Sequence, residues 1–214
     1  MKKSALITGG TIRVGQTIAE RLRSQGWRVI VSSHRPDAGA DIVADLSEPM
    51  GAAKLYAKAL ALLGGKPPDA LINNAALFTG DAEAIENINL LAPKKLTMMM
   101  AGREIGMGAV VNILDSKALS PLTENSSPYI RAKHSLYEET LRAAEMFAST
   151  LRVNAVAPGP VLAPSNIHVK AGELLLERRP RVEDVAAAVD FLLTSDAITG
   201  VIIPVDAGQH LLYR

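Results

Sequence analysis

Residues 5–15 read Ala5-Leu6-Ile7-Thr8-Gly9-Gly10-Thr11-Ile12-Arg13-Val14-Gly15, and a segment with the apolar spacing of a helix, Gln16 to Ser24, follows at once. Ala5 to Thr8 has the length and apolar character of a buried strand. The turn that joins the two carries Gly9, Gly10 and Gly15. Glycine lets a backbone turn sharply and come close to a ligand, and the start of a helix offers free N–H groups and the positive end of a dipole to an anion. The stretch is not G-x-G-x-x-G, and a tight strand-to-helix turn uses glycine even where nothing binds. Its place directly after the first strand favours a phosphate-binding turn built on Gly9, Gly10 and Gly15.

The alternation continues outward from this turn. Strand-length apolar runs recur at Arg28 to Val31, Asp41 to Ala44, Ala70 to Asn73, Ala109 to Leu114, Leu151 to Val156 and Val201 to Val205. Helical spacing recurs at Ala52 to Leu63, Pro93 to Ala101, Ile130 to Phe147 and Val182 to Thr194. Strand and helix in succession predict an α/β fold, a doubly wound parallel sheet with helices on both faces and ligands beyond the carboxyl ends of the strands. The 214 residues fit a single domain, 1–214, with one core. Gly64 to Asp69 reads as a turn-rich connector, and Ala157 to Asn166 as a Pro-rich loop after a strand, the place for a substrate loop.

Composition narrows the function. Hydrophobic residues make up 48% of the chain and charged residues 21%, with a formal net charge of +1, an ordinary globular balance without a basic stripe for nucleic acid. There is no cysteine, which excludes disulfides, thiolate metal sites and a cysteine nucleophile. His34, His134, His168 and His210 are scattered without ligand spacing, so no metal is expected. Met1 to Gly9 holds two lysines and an apolar run too short for a signal sequence or a membrane span. The expected location is the cytoplasm and the expected partner a small-molecule substrate, with no nucleic acid and no membrane.

Two further segments carry chemistry. Val29 to Arg35 reads as a second strand running into Ser32, Ser33, His34 and Arg35, without the acidic residue that usually takes the ribose hydroxyls of NAD. An Arg fork bonds phosphate in bidentate fashion, so Arg35, helped by Ser33 and His34, suits the 2′-phosphate of NADP. Taken alone, an Arg before Pro36 is equally a solvated surface charge. Tyr129 and Lys133 stand one turn apart on one face of the long helical segment. A nearby ammonium favours a phenolate, which would lower the Tyr129 pKa from about 10 and make it a general acid near neutral pH. Such a pair also arises from plain surface packing.

Several motifs then coincide in order. The turn Thr8-Gly9-x-x-x-Arg13-x-Gly15, Asp45-Leu46, Asn73-Asn74-Ala75, Asn89, the Tyr129 and Lys133 pair, Val153 to Val161, and Thr199-Gly200 with Asp206-Ala207-Gly208 resemble the successive motifs of the short-chain dehydrogenase/reductase family over nearly the whole chain. The resemblance implies a Rossmann fold with a seven-stranded sheet, and hydride transfer from a nicotinamide with Tyr129 as proton donor. It places NADP(H) on Thr8, Gly9, Arg13, Val14, Gly15, Ser33, His34, Arg35, Asp45, Leu46, Asn74, Ala75, Tyr129, Lys133, Pro158, Gly159 and Val161. Lys133 would hold the ribose and polarise Tyr129, and Asn89 would support a proton-relay water. A homotetramer or homodimer is implied too, with Pro93 to Ala101 and Ile130 to Phe147 at the interface.

Within the family the chain is most similar to the pteridine reductases, including the bacterial dihydromonapterin and dihydrofolate reductases of that type. Arg13 stands at a position that is small in other members, and His34-Arg35 repeats a dipeptide of the subgroup. Asn112-Ile113-Leu114-Asp115 ends in Asp where most members have the catalytic Ser, and Phe78 falls where an aromatic ring stacks on the pterin. This similarity implies a substrate site of Arg13, Phe78, Asp115 and Tyr129. Hydride would go to C6 of a dihydropterin while Tyr129, oriented by Asp115 and Lys133, protonates N5.

Departures from the pattern leave alternatives. Asp115 is one residue further from Tyr129 than the usual serine, and Ser116 is at the usual distance. Asp115 is favoured because the Asn112-Ile113-Leu114 run fixes the strand register and the extra residue can sit in the loop Lys117 to Pro128, with Ser116 as the alternative. Ala76 stands where the subgroup often has Ser. The segment between Val161 and Arg181 is short for the family, and His210 to Arg214 is a candidate to reach a neighbouring subunit's site. Two other functions compete: a reductase of another ketone or imine, which has no need of Phe78 or Arg13, and a non-catalytic NADP(H)-binding sensor, against which the complete set Asn89, Tyr129 and Lys133 argues.

Overall fold

Seven runs of small and branched apolar residues form strands because nearly every side chain along them finds a covered face. A computed structural model describes residues 2–102, 106–161, 174–176 and 178–213. The strands are β1 (Ser4–Ile7), β2 (Arg28–Ser33), β3 (Ile42–Val43), β4 (Ala70–Asn73), β5 (Gly108–Ile113), β6 (Leu151–Pro158) and β7 (Ile202–Val205). They pair in parallel in the order β3-β2-β1-β4-β5-β6-β7. The chain therefore winds outward from β1 in one direction and, from β4 onward, in the other. The reversal lies between β1 and β4, the point in such sheets where a crevice opens for a ligand.

Helices α1 (Arg13–Ser24) and α6 (Val182–Thr194) cover one face, and α2 (Gly51–Leu62), α4 (Ala92–Ala101) and α5 (Pro128–Met146) the other. A short α3 (Ala82–Glu86) runs into one turn of π-helix, Asn87–Leu91. Strand residues alternate between the two cores. Ala5, Ile7, Ile72 and Val111 pack under α1 and α6, while Leu6, Leu71 and Val110 pack with α2 and α4. Burial on both sides is why these strands read as unbroken apolar runs instead of alternating ones.

The expected boundaries shift in places with local causes. β2 stops at Ser33 and does not run to Arg35, because the Ser33 hydroxyl accepts the Arg35 N–H at 3.1 Å and turns the chain. Ala157 and Pro158 belong to β6 and not to a loop, since they lie opposite Pro204 and Val205 of β7. α1 begins at Arg13, a turn before its apolar spacing becomes visible at Gln16. Most of the segment between Val161 and Arg181, expected to be short, lies outside the described residues.

Two buried polar groups join the layers. Asn73 Nδ2 donates to Asn112 Oδ1 at 2.8 Å, and Asn112 Nδ2 to Thr140 Oγ1 at 2.9 Å, which ties β4 and β5 to the helix that carries Tyr129 and Lys133. Arg152, buried on β6, donates to the carbonyls of Leu192, Leu193 and Ile198 and so satisfies acceptors that the end of α6 leaves open. Arg152→Met is expected to cost about 2–3 kcal/mol, seen as a fall in Tm of several degrees. An unchanged Tm would mean that solvent satisfies those carbonyls instead.

Candidate active site

The first turn is built by exclusion. Gly9 has φ +63°, and a Cβ at Gly15 would collide with the Gly9 carbonyl, while one at Gly10 would come within 2.7 Å of Val31 Cγ1. Beneath it the Thr8 hydroxyl accepts the N–H groups of Asn74 and Ala75, both at 3.0 Å. Asn74 Nδ2 returns to the carbonyls of Thr8 at 3.0 Å and Gly9 at 2.9 Å. The ends of β1 and β4 are thereby locked together, with the start of α1 facing the opening. Arg13 adopts φ +53°, a conformation that side chains other than glycine rarely hold, and its side chain is exposed at the opening.

A cleft of about 860 Å³ runs from this turn across the carboxyl ends of the strands. Every residue expected at the cofactor or substrate lines it except Thr8, which lies under the turn, and Asn89, which is buried. At one end are Ser33, His34 and Arg35, the last two exposed, and no ion pair engages Arg35 among the described residues. Asp45 is nearby, its carboxylate held by the N–H and hydroxyl of Ser47 at 2.8 and 2.7 Å. Those bonds keep its pKa below the usual carboxylate value, with a smaller contribution from His34. Among the described residues no group of three His, Cys, Asp or Glu is placed to hold a metal, and no helix is long and apolar enough to cross a membrane.

At the other end Tyr129 donates to Asp115 Oδ2 at 3.2 Å, while Asp115 Oδ1 accepts the Lys117 N–H at 2.9 Å. Of the two candidates for the third position, the structure brings Asp115 to the tyrosine. Ser116 is fully buried and donates instead to Gln209 Oε1 at 3.1 Å. Lys133 is 1% exposed, donates to the Ile113 carbonyl at 2.7 Å and stands 5.9 Å from the centre of the Tyr129 ring. Asn89 sits in the π-helical turn, a feature frequent at functional sites. Its amide nitrogen bonds the carbonyls of Leu77 and Ile85, both at 2.8 Å, leaving Oδ1 buried without a partner among the described residues. Phe78 is 58% exposed, so it is no core residue, and its ring lies 4.6 Å from that of Tyr129, tilted by 36°.

The electrostatics correct one expectation. The Tyr129 pKa is raised, not lowered: burial dominates, and the charge and hydrogen bond of Asp115 add to it. Tyr129 is thus held protonated, the form in which it can give a proton. Burial pushes Lys133 down to about 8, against a smaller upward pull from Asp115. Lys117 and Gln209 also line the cleft and were not singled out in the sequence. Gln209 directly follows the Asp206-Ala207-Gly208 motif, and that adjacency was the available signal. The tail expected to reach a neighbour begins on its own chain, where His210 Nδ1 contacts Asp206 Oδ2 at 2.8 Å. Arg214 lies outside the described residues.

A glycine-lined cleft at the reversal of a doubly wound sheet, with a tyrosine and a buried lysine one turn apart, defines a nicotinamide-dependent oxidoreductase. The family described as enoyl-(acyl carrier protein) reductase matches residues 67–210, and the chain belongs to the short-chain dehydrogenases/reductases. The granaticin polyketide synthase putative ketoacyl reductase 2 of Streptomyces violaceoruber is 34% identical, over 97% of this chain and 96% of that protein. Pteridine reductase 1 of Leishmania tarentolae is 28% identical, over 97% and 96%. The crystal structure of FolM alternative dihydrofolate reductase 1 from Brucella canis complexed with NADP superposes with a TM-score of 0.85 at 30% identity, covering 98% of this chain and 94% of that one.

The lowered pKa of Lys133 makes its role open to a pH test. Its ammonium is present below about 8 and lost above it. We expect kcat/KM to fall as the pH rises through about 8, and the falling limb to move to higher pH in Lys133→Arg. A profile that stays flat well into the alkaline range would show that the charge of Lys133 is not required.

Proposed function

We propose that the protein reduces a dihydropterin with NADPH. The observation that carries this reading is the carboxylate of Asp115 on the Tyr129 hydroxyl, in the place where a serine hydroxyl would otherwise stand. A carboxylate has acceptor capacity left after binding one hydroxyl and one N–H. A heterocycle bearing N–H groups can use it, whereas a plain ketone has no donor to offer. Phe78, exposed against Tyr129, presents an aromatic face for a flat ring, and such stacking supplies both affinity and orientation.

The cleft also fits the cofactor. Its turn excludes any Cβ at Gly15, leaving backbone room for a pyrophosphate at the start of α1. Ser33, His34 and Arg35 would take the 2′-phosphate of NADP, and Lys133 the ribose. When bound, the cofactor supplies the hydride. Tyr129, kept protonated by burial and by Asp115, gives its proton to the ring nitrogen. Asn89, with a buried amide oxygen free to accept, supports a water that replaces the proton. The name of the Leishmania relative and the NADP in the Brucella structure support the same reading.

The polyketide ketoacyl reductase, similar over the whole chain, favours ketone reduction as a second reading. NADPH oxidation by purified protein with dihydrobiopterin, dihydromonapterin, dihydrofolate and a panel of ketones separates the two. Turnover confined to the pterins is expected, and turnover of ketones alone would discard the pterin site. Arg35→Asp is expected to lower the NADPH-to-NADH ratio of kcat/KM by about tenfold or more, the loss of a charge-assisted contact. A ratio that does not move would remove Arg35 from the phosphate.

A further inference from the structure

We propose that Gln209 is a substrate-binding residue whose side-chain N–H takes a hydrogen-bond acceptor on the rim of the pterin ring, a carbonyl oxygen or a ring nitrogen. The inference rests on the pterin reading above and adds to it a donor from the C-terminal segment.

The backbone at Gln209 is held from several sides. Asp206, almost wholly buried, accepts the N–H of Gly208 at 3.0 Å, the N–H of His210 at 2.6 Å and the imidazole Nδ1 of His210 at 2.8 Å. Its carbonyl accepts the Gln209 N–H at 3.1 Å. Gly159 packs so closely on Asp206 that a Cβ there would come within 2.8 Å of it. The side chain is held as well. Gln209 is 8% exposed and forms part of the cleft wall, and its Oε1 is fixed by the hydroxyl of Ser116, the residue after Asp115.

One end of the amide is thus spent on positioning and the other is left over. Nε2 has no acceptor among the described residues. It is not among the sealed unpartnered atoms either, which among the described residues are Asn73 Oδ1, Asn89 Oδ1 and Asp190 Oδ1. A rotationally fixed amide in a cleft wall, with its donor end open, is the arrangement that reads an acceptor on a bound ligand. It also explains why Ser116, at the usual distance for a catalytic serine, points away from Tyr129: its hydroxyl orients Gln209. Asp115 and Gln209 would then offer an acceptor and a donor to the same heterocycle, a complementary pair that a simple ketone cannot use.

Gln209→Glu and Gln209→Met test this with steady-state kinetics on the best dihydropterin. Glu keeps an oxygen for the Ser116 hydroxyl and loses the donor; Met keeps the volume and loses both. Both variants are expected to raise KM for the pterin about tenfold or more, the loss of one hydrogen bond in a site built for it. The Kd for NADPH, read from its fluorescence, and the Tm are expected to hold. A pterin KM that stays put in both variants overturns the proposal while leaving pterin reduction standing. A loss of Tm or NADPH binding in step with KM overturns it too, making Gln209 a structural strut. Wild-type protein that turns over no pterin would remove the function and this residue's ligand together.

Discussion

A single hydroxyl oxygen, that of Thr8, holds the site open. At the reversal of the sheet, between β1 and β4, the backbone N–H groups of Asn74 and Ala75 lie beyond the strand ends and need an acceptor. Thr8 accepts both, and Asn74 returns its own amide to the carbonyls of Thr8 and Gly9. These groups satisfy one another within the turn, as buried backbone groups almost always do. The glycine turn can then approach a ligand closely, and α1 can aim its free N–H groups at it.

The second constraint is electrostatic and lies at the far end of the cleft. Asn73, Asn112 and Thr140 fix α5 against the sheet, which places Tyr129 over Asp115 and sinks Lys133 until its ammonium has the Ile113 carbonyl for a partner. Burial acts on the two groups in opposite directions, raising the tyrosine and lowering the lysine. Both shifts favour the neutral form, which is the usual effect of leaving water. The result is a tyrosine that keeps its proton and a lysine whose charge is lost above about pH 8.

Much of this was legible in the sequence, for identifiable reasons. Strands buried on both faces announce themselves as apolar runs, and the first turn is marked by glycines that no other residue can replace, so the order of elements and the cofactor end of the cleft could be read directly. Tyr129 and Lys133 were visible as a pair because a helix turn brings them together. The sign of the tyrosine shift was not, since it depends on how deeply α5 sinks and on a carboxylate fourteen positions away in the chain. The preference for Asp115 over Ser116 could be read from the strand register of Asn112 to Leu114, and in the fold the two adjacent residues point to different partners, Tyr129 and Gln209. Gln209 escaped notice because its importance comes from Asp206 and Ser116, contacts that no spacing rule links.

Arg13 shows what the site asks of the fold. An L-residue in the left-handed region costs about 1–2 kcal/mol relative to an ordinary helical conformation, and glycine would hold φ +53° without that strain. The chain carries an arginine there nonetheless, exposed at the mouth of the cleft, where it adds nothing to the core. Glycine at this residue would relieve the strained backbone and at the same time remove the guanidinium that lines the mouth of the cleft.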